Sequence, residues 1–111
     1  MNQKRSQQLQ RTLDGIIRCL RAHYHPEQVI VFGSLASGQI TATSDLDLLI
    51  VKKTNKRFFD RIKEVVALCD YEIGVDILVY TPEELAEAAK TNPFVRDEIL
   101  SKGKVVYRAA A

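Results

Sequence analysis

The stretch that decides the fold runs from Val29 to Val51, VIVFGSLASGQITATSDLDLLIV. Val29-Ile30-Val31-Phe32 is a short, unbroken apolar run, the pattern of a strand covered on both faces. Gly33 ends it, and Ser34-Leu35-Ala36-Ser37-Gly38 suits one helical turn that starts near Ser34 and stops at Gly38. After a polar loop, Gln39 to Ser44, a second strand is predicted over Asp45-Leu46-Asp47-Leu48-Leu49-Ile50-Val51. That leaves two carboxylates at the start of an otherwise apolar strand, and they need a reason.

Asp45 and Asp47 stand two apart on a strand, so both side chains leave one face, with Cα atoms about 7 Å apart. Like charges repel, and burial raises the cost of each. A divalent cation bridging them removes the problem. Hard, oxygen-seeking Mg²⁺ fits best, because carboxylates and substrate phosphates are its usual ligands. A third carboxylate, Asp76, interrupts the later strand-like run Val75 to Tyr80. If the second and third strands are neighbours, Asp76 lies beside the pair. Two metal ions ~3.5–4 Å apart need about that many carboxylates, and such a site stabilises both oxygens of an in-line phosphoryl displacement. Asp76 could also take the proton from an attacking hydroxyl. Plainer readings stay open: one Asp caps the loop while the other is exposed, and Asp76 is an exposed edge-strand residue. Gly33-Ser34 is the complement. Glycine lets backbone approach a ligand, while N–H groups at a helix start and the Ser34 hydroxyl can meet phosphate.

Outward from this stretch, Leu9, Leu13, Ile16, Ile17 and Leu20 form one stripe of an amphipathic helix, with Lys4, Arg5, Arg11, Arg18 and Arg21 opposite. His23-Tyr24-His25-Pro26 ends it, since Pro26 disfavours helix at the residue before. The two histidines read as a solvated helix end, with a metal pair as the alternative. Phe58, Phe59, Ile62, Val65, Val66 and Cys69 predict a second helix, with Asp60, Arg61, Lys63 and Glu64 on its outer face. Gly74 opens the third strand. Thr81-Pro82-Glu83-Glu84 is a capping box with proline at the first helical position, starting a helix that ends near Asn92. Asn92-Pro93 begins another, through Phe94, Val95, Ile99 and Leu100 to Gly103, and Lys104 to Arg108 is an edge strand. This order describes an α/β domain with a mixed sheet.

At 111 residues, one domain spanning 1–111 is expected, and 46% hydrophobic residues suffice for its core. Sixteen Lys and Arg against fourteen Asp and Glu give +2, too balanced to indicate direct nucleic-acid binding. Cys19 and Cys69 sit in helix-like segments without metal-ligand or CxxC spacing, and are expected as reduced, buried thiols. With no apolar run long enough to span a membrane and a polar start, MNQKRSQQLQ, a soluble cytoplasmic protein is expected, with no membrane partner. The closing Ala109-Ala110-Ala111 carries no signal and is expected to fray.

Gly33-Ser34, ten residues, then Asp45-x-Asp47 resembles the signature of the nucleotidyltransferase superfamily that includes DNA polymerase beta. With Asp76 on a later strand and so short a chain, the sequence resembles the minimal nucleotidyltransferase (MNT) domain proteins of bacteria and archaea. The resemblance implies a polymerase beta palm-like fold, with helices packed on a small mixed sheet. It implies that Gly33 and Ser34 bind a nucleoside triphosphate, that Asp45 and Asp47 hold two Mg²⁺ ions, and that Asp76 completes the site and helps to activate the acceptor. The implied reaction transfers a nucleoside monophosphate, AMP from ATP above all, to an acceptor hydroxyl and releases pyrophosphate. Many such proteins resemble antitoxins paired with a helical HEPN-domain toxin, a ribonuclease, and some add AMP to a tyrosine of that toxin. A HEPN-domain partner is therefore implied. The alternatives are a toxin-neutralising module without catalysis, and a transferase for small molecules of the antibiotic type. Such proteins often carry an arginine in the turn after Gly-Ser, where this chain has Leu35, Ala36 and Ser37. Lys52, Lys53, Lys56 and Arg57 read as a substitute for it or as a solvated cluster. With no second domain to cover the sheet face, the acceptor or a partner subunit is expected to finish the pocket.

Overall fold

The structure, a computed structural model, describes residues 2–110. Met1 and Ala111, and with Ala111 the tip of the tail expected to fray, lie outside the described residues. The elements follow the predicted order: α1 (Gln3–His23), β1 (Gln28–Phe32), α2 (Ser34–Ser37), β2 (Leu46–Val51), α3 (Phe58–Leu68), β3 (Val75–Tyr80), α4 (Pro82–Thr91), α5 (Phe94–Ser101) and β4 (Lys104–Arg108). α5 is wound as a π-helix. The strands form one mixed sheet in the order β3-β2-β1-β4, parallel between β2 and β3 and antiparallel elsewhere. A parallel pair needs a crossover connection, and α3 supplies it.

Strand alternation divides the core in two. Leu46, Leu48 and Ile50 of β2 join Leu9, Leu13, Ile16 and Leu20 of α1 and Val65 of α3 on one face. Leu49 and Val51 join Ile30, Phe32, Val95 and Ile99 on the other, under α5. The central strands β1 and β2 are thus covered on both sides, as their unbroken apolar runs require. The same period of two assigns Asp47 to the α5 face. α1 stops where Pro26 predicts: His25 takes a left-handed φ of 57°, and its N–H donates to the Leu20 carbonyl at 2.8 Å.

Three expectations are corrected. β2 begins at Leu46 rather than Asp45. Pairing starts there, where the Leu46 N–H donates to the Gly74 carbonyl at 3.0 Å, and Asp45 remains the last residue of the loop. In α3 the buried stripe is rotated: Arg61 is 6% exposed, while Phe59 is 72% exposed and Val66 also faces outward. Arg61 goes inside because its guanidinium finds acceptors there, namely the carbonyls of Lys56 (2.8 Å) and Val79 (3.1 Å) and the carboxylate of Glu84. A periodicity count sees only its charge.

Cys19 and Cys69 are joined in a disulfide rather than held as free thiols. Both helices pack on the same sheet face, which brings the two Cα atoms to 6.0 Å across a separation of 50 residues. Pairing of this kind is tertiary, so no local spacing announces it. It removes the reduced thiols as a ground for placing the protein in the cytoplasm. What stands is that no described helix is long and apolar enough to cross a membrane. A thiol reagent applied to the denatured, unreduced protein is expected to label neither cysteine, and both after reduction; label before reduction would contradict the bond.

Candidate active site

Strand direction collects the chemistry-bearing residues at one end of the sheet. β1 runs against β2, so its last residues lie beside the first of β2, and the parallel β3 starts at that same end. The register sets Phe32 opposite Asp47, and Asp47 opposite Asp76. The second and third strands are neighbours, as the sequence reading required for Asp76 to join the pair.

Two glycines make room for the carboxylates. Gly33 turns the chain out of β1 with φ 72°, and a Cβ there would run into the Asp47 carboxylate, 3.1 Å from its Cγ. Gly74 lies under Asp45 in the same way, where a Cβ would stand 2.6 Å from Oδ1. The Gly33 requirement was foreseen for close approach of a ligand; its contact with Asp47 was not. Nothing in the local sequence around Gly74 signals its contact with Asp45. Gly33→Ala is expected to destabilise the fold by about 1–2 kcal/mol, from the positive φ and the blocked carboxylate together. In an Asp47→Ala background only the φ component should remain, so urea midpoints of the four proteins should be non-additive. Additive losses would show that the carboxylate does not press on Gly33.

Asp47 is the recessed member of the trio, half-buried, while Asp45 and Asp76 are exposed on the rim. Burial first, then the charge and hydrogen bonding of Asp76, then the charge of Asp45, push the Asp47 carboxyl up from 3.8 to about 6. Among the described residues no group of three or more His, Cys, Asp or Glu side chains forms a metal cage by itself, the two histidines included. The donors at this sheet end are nevertheless all oxygen, their like charges are uncompensated, and their arrangement is open. That set fits a hard divalent cation shared with an anionic ligand, which is how Mg²⁺ is commonly held.

The basic cluster belongs elsewhere. Lys52 closes the far end of β2, where its ammonium donates to the Tyr24 carbonyl and lies 4.7 Å over the Tyr24 ring. Lys56 pairs with Glu64 at 2.9 Å. Neither is a substitute for an arginine beside Gly33-Ser34. A groove of about 330 Å³ does open beside Gly33, lined by Ala36, Ser37, Gln39, Glu98 and Lys102 as well. Phe94 borders the same face, about half exposed, edge-on to Phe32 at 6.0 Å between ring centroids. The sequence reading missed this wall. Phe94, Glu98 and the C-cap Lys102 recur at i, i+4 and i+8, which marks a stripe flanking the core-facing Val95 and Ile99.

A mixed sheet carrying Gly-Ser and three aspartates at one end is the arrangement that the resemblance to nucleotidyltransferases implies. The family model described as "Polymerase beta, Nucleotidyltransferase" matches residues 14–110, and the chain belongs to that family. Over 100 residues it is 27% identical to the Methanocaldococcus jannaschii protein named "Putative protein adenylyltransferase MJ0604", covering 88% of this chain and 97% of that one. Its fold is similar to the crystal structure of a "putative nucleotidyltransferase from Sulfolobus solfataricus", with TM-score 0.66 and 23% identity over 96% of this chain and 90% of the other. It is also similar to a chain in the crystal structure of a toxin-antitoxin with AMP-PNP, with TM-score 0.59 and 21% identity over 86% and 73% of the two chains. At those identities the two structures establish the fold and nothing finer.

Proposed function

We propose that this nucleotidyltransferase is Mg²⁺-dependent and transfers AMP from ATP to a hydroxyl of a protein partner, a HEPN-domain toxin that it restrains as an antitoxin. The observation that carries the reading is the register that sets Asp47 beside Asp76, with Asp45 and Gly33 at the same sheet end. Gly33, with no side chain, leaves backbone open to the triphosphate, and Ser34 adds a hydroxyl. Asp45, Asp47 and Asp76 would hold two Mg²⁺ ions, whose role when bound is to offset charge on the attacking and leaving oxygens. Asp76, exposed on its edge strand, takes the proton of the incoming hydroxyl. That oxygen bonds to the α-phosphorus as the bond to the α,β-bridging oxygen breaks, and pyrophosphate leaves. The exposed rim leaves the acceptor free to approach, and the partner would complete the pocket.

The protein acceptor draws support from the name of the 27% identical relative. The toxin partner and the adenine nucleotide draw support from the description of the toxin-antitoxin structure with AMP-PNP. An ATP donor suits the cytoplasm. The test is to incubate the protein with Mg²⁺, ATP labelled in its α-phosphate, and the product of the neighbouring gene. Label on that partner is expected. Neutralisation of the partner without label would overturn catalysis in favour of simple binding.

A further inference from the structure

The groove beside Gly33 has α2 and the residues after it as one wall and the outer stripe of α5 as the other. Gly103 lets the end of α5 close down on β1, since a Cβ there would stand 2.9 Å from the Val31 carbonyl oxygen. Lys102 is thereby fixed at the end of β1 that carries Gly33. It is the one basic side chain among the described residues lining this groove, and its ammonium donates to both carboxylate oxygens of Glu98, at 3.1 and 3.3 Å. A nucleoside triphosphate would bring several negative charges to a sheet end that already holds three carboxylates. An exposed i,i+4 ion pair contributes little, whereas hydrogen bonds from an ammonium to phosphate are among the stronger ones.

We propose that Lys102 is a phosphate-binding residue for the nucleoside triphosphate, and that it exchanges Glu98 for β- and γ-phosphate oxygens when the nucleotide enters the groove. Glu98 is then an internal competitor that the phosphates displace. This inference rests on the nucleotidyltransferase reading of the site. Lys104 supplies a matched control. It pairs with Val31, whose side chain joins the core on the α1 face, so the register places an equal charge at the same sheet end on the opposite face.

Calorimetric titration of the full chain with ATP and with AMP, each with Mg²⁺, tests it. Lys102→Gln is expected to weaken ATP about tenfold, and AMP, which lacks the outer phosphates, by less than about twofold. Lys102→Arg should restore most of the loss, and Glu98→Gln should tighten ATP by up to about threefold. Lys104→Gln should leave ATP unchanged. Lys102 is exposed, so its variants should fold, and their melting curves verify that. Unchanged ATP affinity in Lys102→Gln, or an equal loss in Lys104→Gln, would overturn the inference while leaving the site reading intact. A wild-type protein that binds no ATP would overturn both.

Discussion

Asp47→Asn is expected to slow the proposed AMP transfer at least about a thousandfold while raising the melting temperature of the metal-free protein. The two effects share one cause. The folded state holds the Asp47 carboxyl near 6 against an ordinary 3.8, so above that value folding must keep a half-buried carboxylate ionised between two others. The sign follows from linkage: the folded chain binds more protons than the unfolded one between those values, so stability rises as pH falls through them. The penalty is fully present above about 6 and gone below the ordinary value. Asparagine keeps the shape and removes the charge. After discounting for solvent screening, the gain is on the order of 1–2 kcal/mol, or roughly 4–10 °C at pH 7.5. It should shrink towards pH 4. It should shrink again with Mg²⁺ and ATP, which stabilise the wild type by mass action and the variant far less. A variant that melts lower than wild type at neutral pH, or one that retains transfer, would show that Asp47 is not the strained carboxylate at the centre of the site.

Most of this site was legible in the sequence because strand chemistry is local. A period of two, a Gly-Ser turn and an unbroken apolar run fix which residues leave which face and where the chain turns. Asp47 and Gly33 therefore lie where the sequence places them, whereas Asp45 is the last residue of the loop rather than the first of β2, and Asp76 needed only the adjacency of β2 and β3. The missing features depend on contacts between distant segments. Gly74 matters because Asp45 lies above it, and Lys102 because Gly103 seats the end of α5 on β1. Cys19 and Cys69 meet only once two helices share a sheet face. Lys52 misleads for the same reason: near the aspartates in sequence, it lies a whole strand length away in space.

Arg61 is the strongest instance, and its removal is expected to be the most damaging substitution away from the site. Its guanidinium ties three segments together: the loop before α3 through the Lys56 carbonyl, the end of β3 through the Val79 carbonyl, and the α4 cap through Glu84. Glu84 is itself occupied twice, since its carboxylate accepts the Thr81 N–H at 2.8 Å while its own N–H donates to the Thr81 hydroxyl. Arg61→Met keeps the apolar stem and abolishes every donor, leaving two carbonyls to find other partners. Glu84 is 47% exposed and stays hydrated when abandoned, so the loss falls short of that for a fully buried pair. About 3 kcal/mol, or a drop of roughly 12 °C, is expected. Acid titration gives a second reading. The hydrogen bond from Arg61 is the largest cause holding the Glu84 carboxyl below its ordinary 4.5, so this part of the stability is present above that value and is lost as pH falls through the lower folded value. In Arg61→Met that acid-side decline should flatten, though not vanish, because the Thr81 N–H remains. Arg61→Lys keeps a charge without the planar fork and should recover less than half of the loss. Val79 lies at the opposite end of β3 from Asp76, so AMP transfer measured well below the melting point should be nearly unchanged. Lost transfer in a folded Arg61→Met protein would mean that the far end of the sheet governs the site, which the strand geometry gives no means of doing.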